Sequence, residues 1–307
     1  MKTLLLAIFI CLNGSFAMAQ SPLEKFPYPS VPDSLRTPAK RAVYVMQHYW
    51  DRFDFNDTTL IHRPELTEQG FANFVDLLPR VEPATAALGL KAFVDHIYMV
   101  GDNGEPNKAN ERMREYFADL TEKYLGDSDS PLHNDMLYAQ FLDVMSANKY
   151  ASVAERTRNV FMAKNLRKNL PGSVAADFEY VGRDGSKHRM HDFNADYTLL
   201  YFYDPDCGHC HEVADKLEGM EQLMDSCRVR VLAIYPYDDS EQWTTINAGF
   251  PTAWTDGRSP EGKIANDDMY YFKSMPSIYL LDKEKRVLLK NPSILLLQNT
   301  LTNLSEK

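Results

Sequence analysis

Apolar positions recur at intervals of three and four over most of the first half of the chain, the spacing that lays one face of an α-helix against a core. Ala42, Val45, Met46, Tyr49, Trp50 and Phe53 form one such stripe. Phe71, Phe74, Val75 and Leu78 form a second, and Leu90, Phe93, Val94 and Ile97 a third. Met113, Tyr116, Phe117 and Leu120 give a fourth, Leu137, Phe141, Val144 and Met145 a fifth, and a sixth helix is expected from Ser152 towards Leu170. Runs rich in Pro, Gly and Asp separate them, among them "RPELT", "GDNGEPN" and "LGDSDSP", which act as breakers. The pattern predicts an all-helical region over residues 38–170, with its aromatic stripes as core. The proline-rich residues 20–37 ahead of it are expected to be an extended, loosely ordered lead-in.

After Pro171-Gly172 the period changes. Two short extended runs flank Arg183-Asp184-Gly185, which suggests a hairpin. "YTLLYFYD" reads as a strand and "HEVADKLEGMEQLMDSC" as one amphipathic helix, with Val213, Leu217, Met220 and Leu223 or Met224 on its buried face. "RVRVLAIYPY" is a second strand, and the stretch through "EQWTTINAGF" and "NDDMYYFKS" reads as helix and loop. "PSIYLLDKEKRVLLKN" gives two strands around a charged turn, and "ILLLQNTLTNL" a closing helix. Strand and helix alternate, so residues 171–307 are expected to be an α/β unit and the whole chain α + α/β.

The first nineteen residues interrupt neither unit. Lys2, the apolar run from Leu4 to Cys11 and the small-x-small Ala17-Met18-Ala19 have the form of a cleaved secretory signal peptide. Cys11 sits inside the apolar run, a poor context for a lipid anchor. The expected location is therefore the periplasm, and no later run is long enough to span a bilayer. With 33 Lys+Arg against 43 Asp+Glu the net charge is −10, which argues against nucleic acid or an anionic membrane as partner. Only Cys207, Cys210 and Cys227 follow the leader. A close pair plus one is too few for a disulfide scaffold in an oxidising compartment and points to chemistry. Cys227 is expected to begin a strand as a buried structural cysteine.

Cys207-Gly208-His209-Cys210-His211 fits both a redox dithiol and the attachment signature of c-type haem. The pair follows a strand and opens a helix. Unsatisfied N–H groups and the macrodipole there favour a thiolate at Cys207, while Cys210, one turn in, is less exposed and placed to close a disulfide. His209 adds a donor or positive charge; Asp204 and Asp206 oppose the thiolate. This placement favours the dithiol over haem, and over zinc, for which the ligands are too crowded to form a tetrahedron. No metal site is expected at His188 and His191, and Asp127-Ser128-Asp129 lacks the Gly and Glu of a calcium loop, so a turn role is expected there.

Residues 173–304, through "LLYFYDPDCGHC", "TDGRSPEGKIAND" and "SMPSIYLLDKEKRVL", resemble the thioredoxin-like redoxins of the bacterial cell envelope, the TlpA/ResA type. Residues 38–170 look like a helical domain of unknown function found ahead of such redoxins. The resemblance implies a thioredoxin-like fold, Cys207 as attacking nucleophile, Cys210 as resolving thiol, Pro276 as a cis-proline beside the dithiol and Met275 as the residue whose backbone meets the substrate. Two positions depart from the pattern: Asp206 stands where Trp is common before the first cysteine, and Tyr201 stands where thioredoxin has a buried acid, a role Glu212 is a candidate to take. The expected activity is thiol–disulfide exchange with a client protein, without a diffusible cofactor, the pair being recycled by a redox partner. The alternative from another class is an envelope protein-binding module whose dithiol senses or anchors.

Overall fold

The computed structural model describes residues 25–99, 108–245 and 249–306; the expected leader lies outside them. Six helices build the first half: α1 (Pro38–His48), α2 (Thr67–Leu77), α3 (Pro83–Ile97), α4 (Lys108–Thr121), α5 (Asp135–Ala147) and α6 (Val153–Leu166). Their starts are encoded locally. Thr37, Asn134 and Ser152 each accept a backbone N–H of the first turn through the side chain, satisfying groups that a helix end otherwise leaves unpaired. Ser152 and Glu155 complete a reciprocal capping box. The apolar stripes converge on Trp50, whose ring centroid lies 4.9 Å from that of Phe93 and 5.3 Å from that of Phe117.

The lead-in is extended but docked. Phe26 is 6% exposed and packs into the helical core. A Cβ built on Gly70 would stand 2.2 Å from the Phe26 ring, so the lead-in is seated where α2 has no side chain. Periodicity could not reveal this contact, because one aromatic among prolines has no period.

The second half is one mixed sheet of seven strands: β1 (Glu179–Gly182), β2 (Lys187–Arg189), β3 (Tyr197–Phe202), β4 (Val229–Tyr235), β5 (Thr255–Arg258), β6 (Ser277–Asp282) and β7 (Val287–Lys290), in the order β2-β1-β5-β4-β3-β6-β7. Strand β3 lies inside the sheet, parallel to β4 and antiparallel to β6. Helices α7 (Gly208–Glu218), α8 (Glu221–Ser226), α9 (Ser240–Thr245), α10 (Lys263–Asn266) and α11 (Ile294–Ser305) complete it. Period-two alternation splits β3 between two cores, with Leu199 and Tyr201 on the α7 and α11 side and Leu200 and Phe202 on the other.

Three expectations need correction. The single helix expected after the dithiol breaks into α7 and α8 at Gly219-Met220, because Gly219 caps α7 and Met220 leaves helical geometry with ψ 11°. Cys227 does not begin a strand; it caps α8, two residues before β4. Residues 255–258, expected within a stretch of helix and loop, form β5, paired with both β4 and β1. Gly257 permits that pairing, since a Cβ there would lie 2.6 Å from the Tyr180 ring.

The two halves meet through polar contacts. Lys290 Nζ on β7 forms an ion pair with Asp135 Oδ2 at 2.8 Å and donates to Leu166 O at 2.8 Å and to Lys168 O at 3.0 Å. Lys273 pairs with Glu122 at 2.7 Å, and Asn169 donates to Met269 O at 3.0 Å. Among the described residues, no helix is long and apolar enough to cross a membrane.

Candidate redox site

The chain leaves the interior strand β3 at Phe202 and turns within five residues into α7. Asp204 makes that turn: its carbonyl accepts Cys207 N–H at 3.0 Å and its carboxylate accepts Asp206 N–H at 2.9 Å. Cys207 is the N-cap of α7, and its Sγ lies 3.1 Å from the Cys210 N–H. An anionic sulfur at this point receives a backbone hydrogen bond and the favourable end of the helix dipole. Cys207 and Cys210 form a disulfide with Cα atoms 5.2 Å apart. Cys207 is half-buried, and Cys210 is 1% exposed. An incoming group therefore meets the Cys207 sulfur first.

The structure brings together residues that lie far apart in sequence. Met275-Pro276 is a cis peptide, and the Met275 carbonyl oxygen lies 3.7 Å from Cys207 Sγ. His209 projects outward, 64% exposed, with Nδ1 3.4 Å from Glu212 Oε2. Glu212 is itself 72% exposed, so it does not supply a buried acid beneath the dithiol. Tyr201 lies directly under Cys210, is wholly buried and donates its hydroxyl to the Cys210 carbonyl at 2.5 Å. Burial pushes the Tyr201 phenol far above its ordinary pKa, so it stays a neutral donor. His211 reaches back to the Pro205 carbonyl, 3.0 Å away, and helps shape the turn.

Gln242 on α9 was not singled out by its sequence. Its Nε2 donates to Asp206 Oδ2 at 2.8 Å and to Asp204 Oδ1 at 3.3 Å, while its Oε1 accepts the Tyr235 hydroxyl at 2.7 Å. One amide thus holds both acids that flank the nucleophile. Helix α9 is held in turn by Arg183, whose guanidinium stacks 3.8 Å from the Trp243 ring centroid and donates to Asp256 at 2.6 Å. The Tyr203 hydroxyl donates to the same carboxylate at 2.7 Å. No sequence signal marks such a contact, because a lone Gln in a polar helix fits any solvated surface.

Cys227 lies away from the dithiol, 6% exposed, with its thiol donating to Leu301 O at 3.1 Å. Asp127 accepts Asp129 N–H at 2.9 Å in the expected turn. Among the described residues, no group of three or more His, Cys, Asp or Glu is placed to hold a metal ion.

The family described as a domain of unknown function (DUF5106) matches residues 12–169. A thioredoxin-like protein from Bacteroides caccae, known from a crystal structure, is 30% identical over 92% of this chain and 99% of its own, with a TM-score of 0.71. A conserved protein of unknown function from Bacteroides fragilis is 38% identical over 43% of this chain and 98% of its own, with a TM-score of 0.40. The thioredoxin domain of a thiol-disulfide oxidoreductase from Bacteroides vulgatus is 19% identical over 44% of this chain and 96% of its own, with a TM-score of 0.39. No curated protein matches the chain.

Proposed function

Since the chain belongs to the DUF5106 family and joins that helical region to a thioredoxin-like fold, we propose that it is a thiol–disulfide oxidoreductase acting on client proteins in the periplasm. The observation that carries this reading is the pair of unequal sulfurs at the start of α7: Cys207 accessible and capping the helix, Cys210 buried behind it. In the reducing direction the Cys207 thiolate attacks one sulfur of a client disulfide. The client S–S bond breaks, and its other sulfur leaves as a thiolate that takes a proton from solvent. The Cys210 thiol, on losing its proton, attacks Cys207 Sγ and breaks the mixed disulfide. The second client thiol leaves, and the protein is left with the Cys207–Cys210 disulfide. Two electrons have passed to the client, and a partner dithiol returns them; the reverse sequence oxidises a client.

His209, inside the motif, is the polar side chain assigned to assist the Cys207 thiolate as a donor, and Glu212 Oε2 lies 3.4 Å from its Nδ1. Met275 and Pro276 form the surface against which the client backbone lies, an arrangement supported by the Cys207–Met275 contact. The periplasmic assignment rests on the leader-like residues 1–19.

The test is a trapping experiment. Cys210→Ser should accumulate a disulfide-linked adduct with a model protein disulfide, and dithiothreitol should dissolve it. Cys207→Ser should form none. Equal trapping by both variants, or by neither, removes the assigned roles. Recovery of the same partner by a double Cys→Ser protein would turn the reading towards a binding module.

A further inference from the structure

Met275, which touches the Cys207 sulfur, is followed by Pro276, which lines a cleft of about 560 Å³ between the two halves of the chain. One wall is the sheet half: Ser274, Pro276, Ile278, and Lys290 at the end of β7 with Asn291 and Pro292 beyond it. The other is the helical half: Asp119 on α4, Glu122, Lys123 and Gly126 in the π-turn that extends α4, Asp127 and Ser128. The volume falls within the roughly 300–1,000 Å³ usual for ligand clefts. Pro276 in the cleft wall is thus bonded directly to the residue whose carbonyl oxygen lies 3.7 Å from the Cys207 sulfur.

The charges along the cleft are unevenly compensated. Lys290 is committed to Asp135, Lys273 to Glu122 at 2.7 Å, and Lys123 to Glu68, outside the cleft. Asp119 and Asp127 are exposed and enter no ion pair among the described residues. In the turn before Cys207, Gln242 holds the Asp204 and Asp206 carboxylates. Uncompensated acids therefore line the cleft, and two more carboxylates lie in the turn before the nucleophile. A basic residue near a client cysteine gains from that field, and an acidic one loses.

We propose that the helical half forms one wall of the client site and selects, through Asp119 and its neighbours, an extended polypeptide segment with a Lys or Arg close to its disulfide. This rests on the redox reading above. The helical region then chooses the client, while the dithiol performs the exchange.

The experiment uses the full chain in the reduced state and three disulfides. Two are peptides whose single cysteine is capped as a disulfide by 2-mercaptoethanol, identical except for Lys or Glu two residues from the cysteine. The third is hydroxyethyl disulfide, small and neutral. The wild type should consume the Lys peptide about threefold to fivefold faster than the Glu peptide at low ionic strength, the size expected of up to about 1 kcal/mol from exposed charges. Salt should shrink that ratio. Asp119→Asn should lower it to about twofold, and Asp119→Lys should abolish or invert it. Neither should change the rate with hydroxyethyl disulfide, which also checks that the variants are folded. Equal rates for the two peptides in the wild type, or an unchanged ratio in Asp119→Lys, would overturn the inference while leaving the exchange reaction intact. Failure of the wild type with all three disulfides would overturn the redox reading, and this inference with it.

Discussion

Replacing Lys290 by Met removes the most buried charge that joins the two halves. The Lys290 side chain is 2% exposed and its partner Asp135 is 10% exposed. The ammonium donates to Leu166 O and Lys168 O at 2.8 and 3.0 Å and lies 2.8 Å from the Asp135 carboxylate as an ion pair. Methionine fills similar space but donates nothing. It leaves one buried carboxylate, with only His133 Nε2 nearby at 3.7 Å, and two carbonyls without their donor. Breaking a buried pair from one side costs about 3–5 kcal/mol. An orphaned carbonyl adds about 1–3 kcal/mol where water cannot reach it, and the cost falls where the segment relaxes. A loss of about 4 kcal/mol is expected for Lys290→Met. Asp135→Asn in the same chain should restore about 2 kcal/mol, because the stranded charge is then gone. Urea unfolding followed by far-ultraviolet circular dichroism measures both as midpoint shifts at constant m, and the four-protein cycle gives the coupling. A loss below about 1 kcal/mol for Lys290→Met, or no recovery in the double variant, would refute the reasoning.

Alkylation of the reduced protein at neutral pH should label Cys207 roughly tenfold or more faster than Cys210 or Cys227, since the latter two are 1% and 6% exposed; peptide mapping by mass spectrometry measures it, and equal rates would remove the nucleophile assignment. The oxidised protein should be lighter than the reduced one by about two mass units, from the loss of two hydrogens, and should show no Soret band when expressed with cytochrome-maturation machinery; a covalent haem mass would reverse the reading of the motif. Burial pushes the Glu155 carboxyl upward, but hydrogen bonds from Ser152 and the Arg114 guanidinium outweigh it and hold the group below its ordinary value. A depressed folded pKa stabilises above the unfolded value of about 4.3 and is lost as pH falls through the folded value. Glu155→Gln should therefore cost about 1 kcal/mol near pH 7, and the difference from wild type, read from urea midpoints, should disappear as the solution is acidified below about pH 4.

The helical half was legible because burial there has a single geometric cause. Each helix turns one stripe inward, and the stripes through Trp50, Phe74, Phe93 and Phe117 are the core itself. The dithiol was legible for a similar reason: a strand, a tight turn and a helix start all lie within one short stretch. What escaped were features made by tertiary contact. Residues 255–258 carry no strand pattern, and they are extended because β4 and β1 offer hydrogen bonds on both sides. Gln242 and Lys290 are ordinary letters in ordinary segments, and Tyr201 stands out only as a departure from the thioredoxin pattern. Their roles arise only when α9 comes against the turn, when β3 passes beneath Cys210, and when β7 meets the end of α6. The break at Gly219-Met220 lies between, since a glycine in a helical pattern signals a possible end but the apolar stripe continues past it.

The burial of Cys227 bears on how cleanly the exchange would run. Its thiol is tied to the Leu301 carbonyl and enclosed by the packing of α8, β4 and α11. A third free thiol within reach of a mixed disulfide would open a second route out of it, leaving some molecules cross-linked in the wrong pairing and inactive. Here that route requires α11 to detach from the sheet. In the proposed cycle, apart from return attack by the client's own second thiol, the mixed disulfide has one exit, through Cys210. The yield per turnover is then limited by how fast that one sulfur arrives, and side products stay rare for as long as the C-terminal helix remains in place.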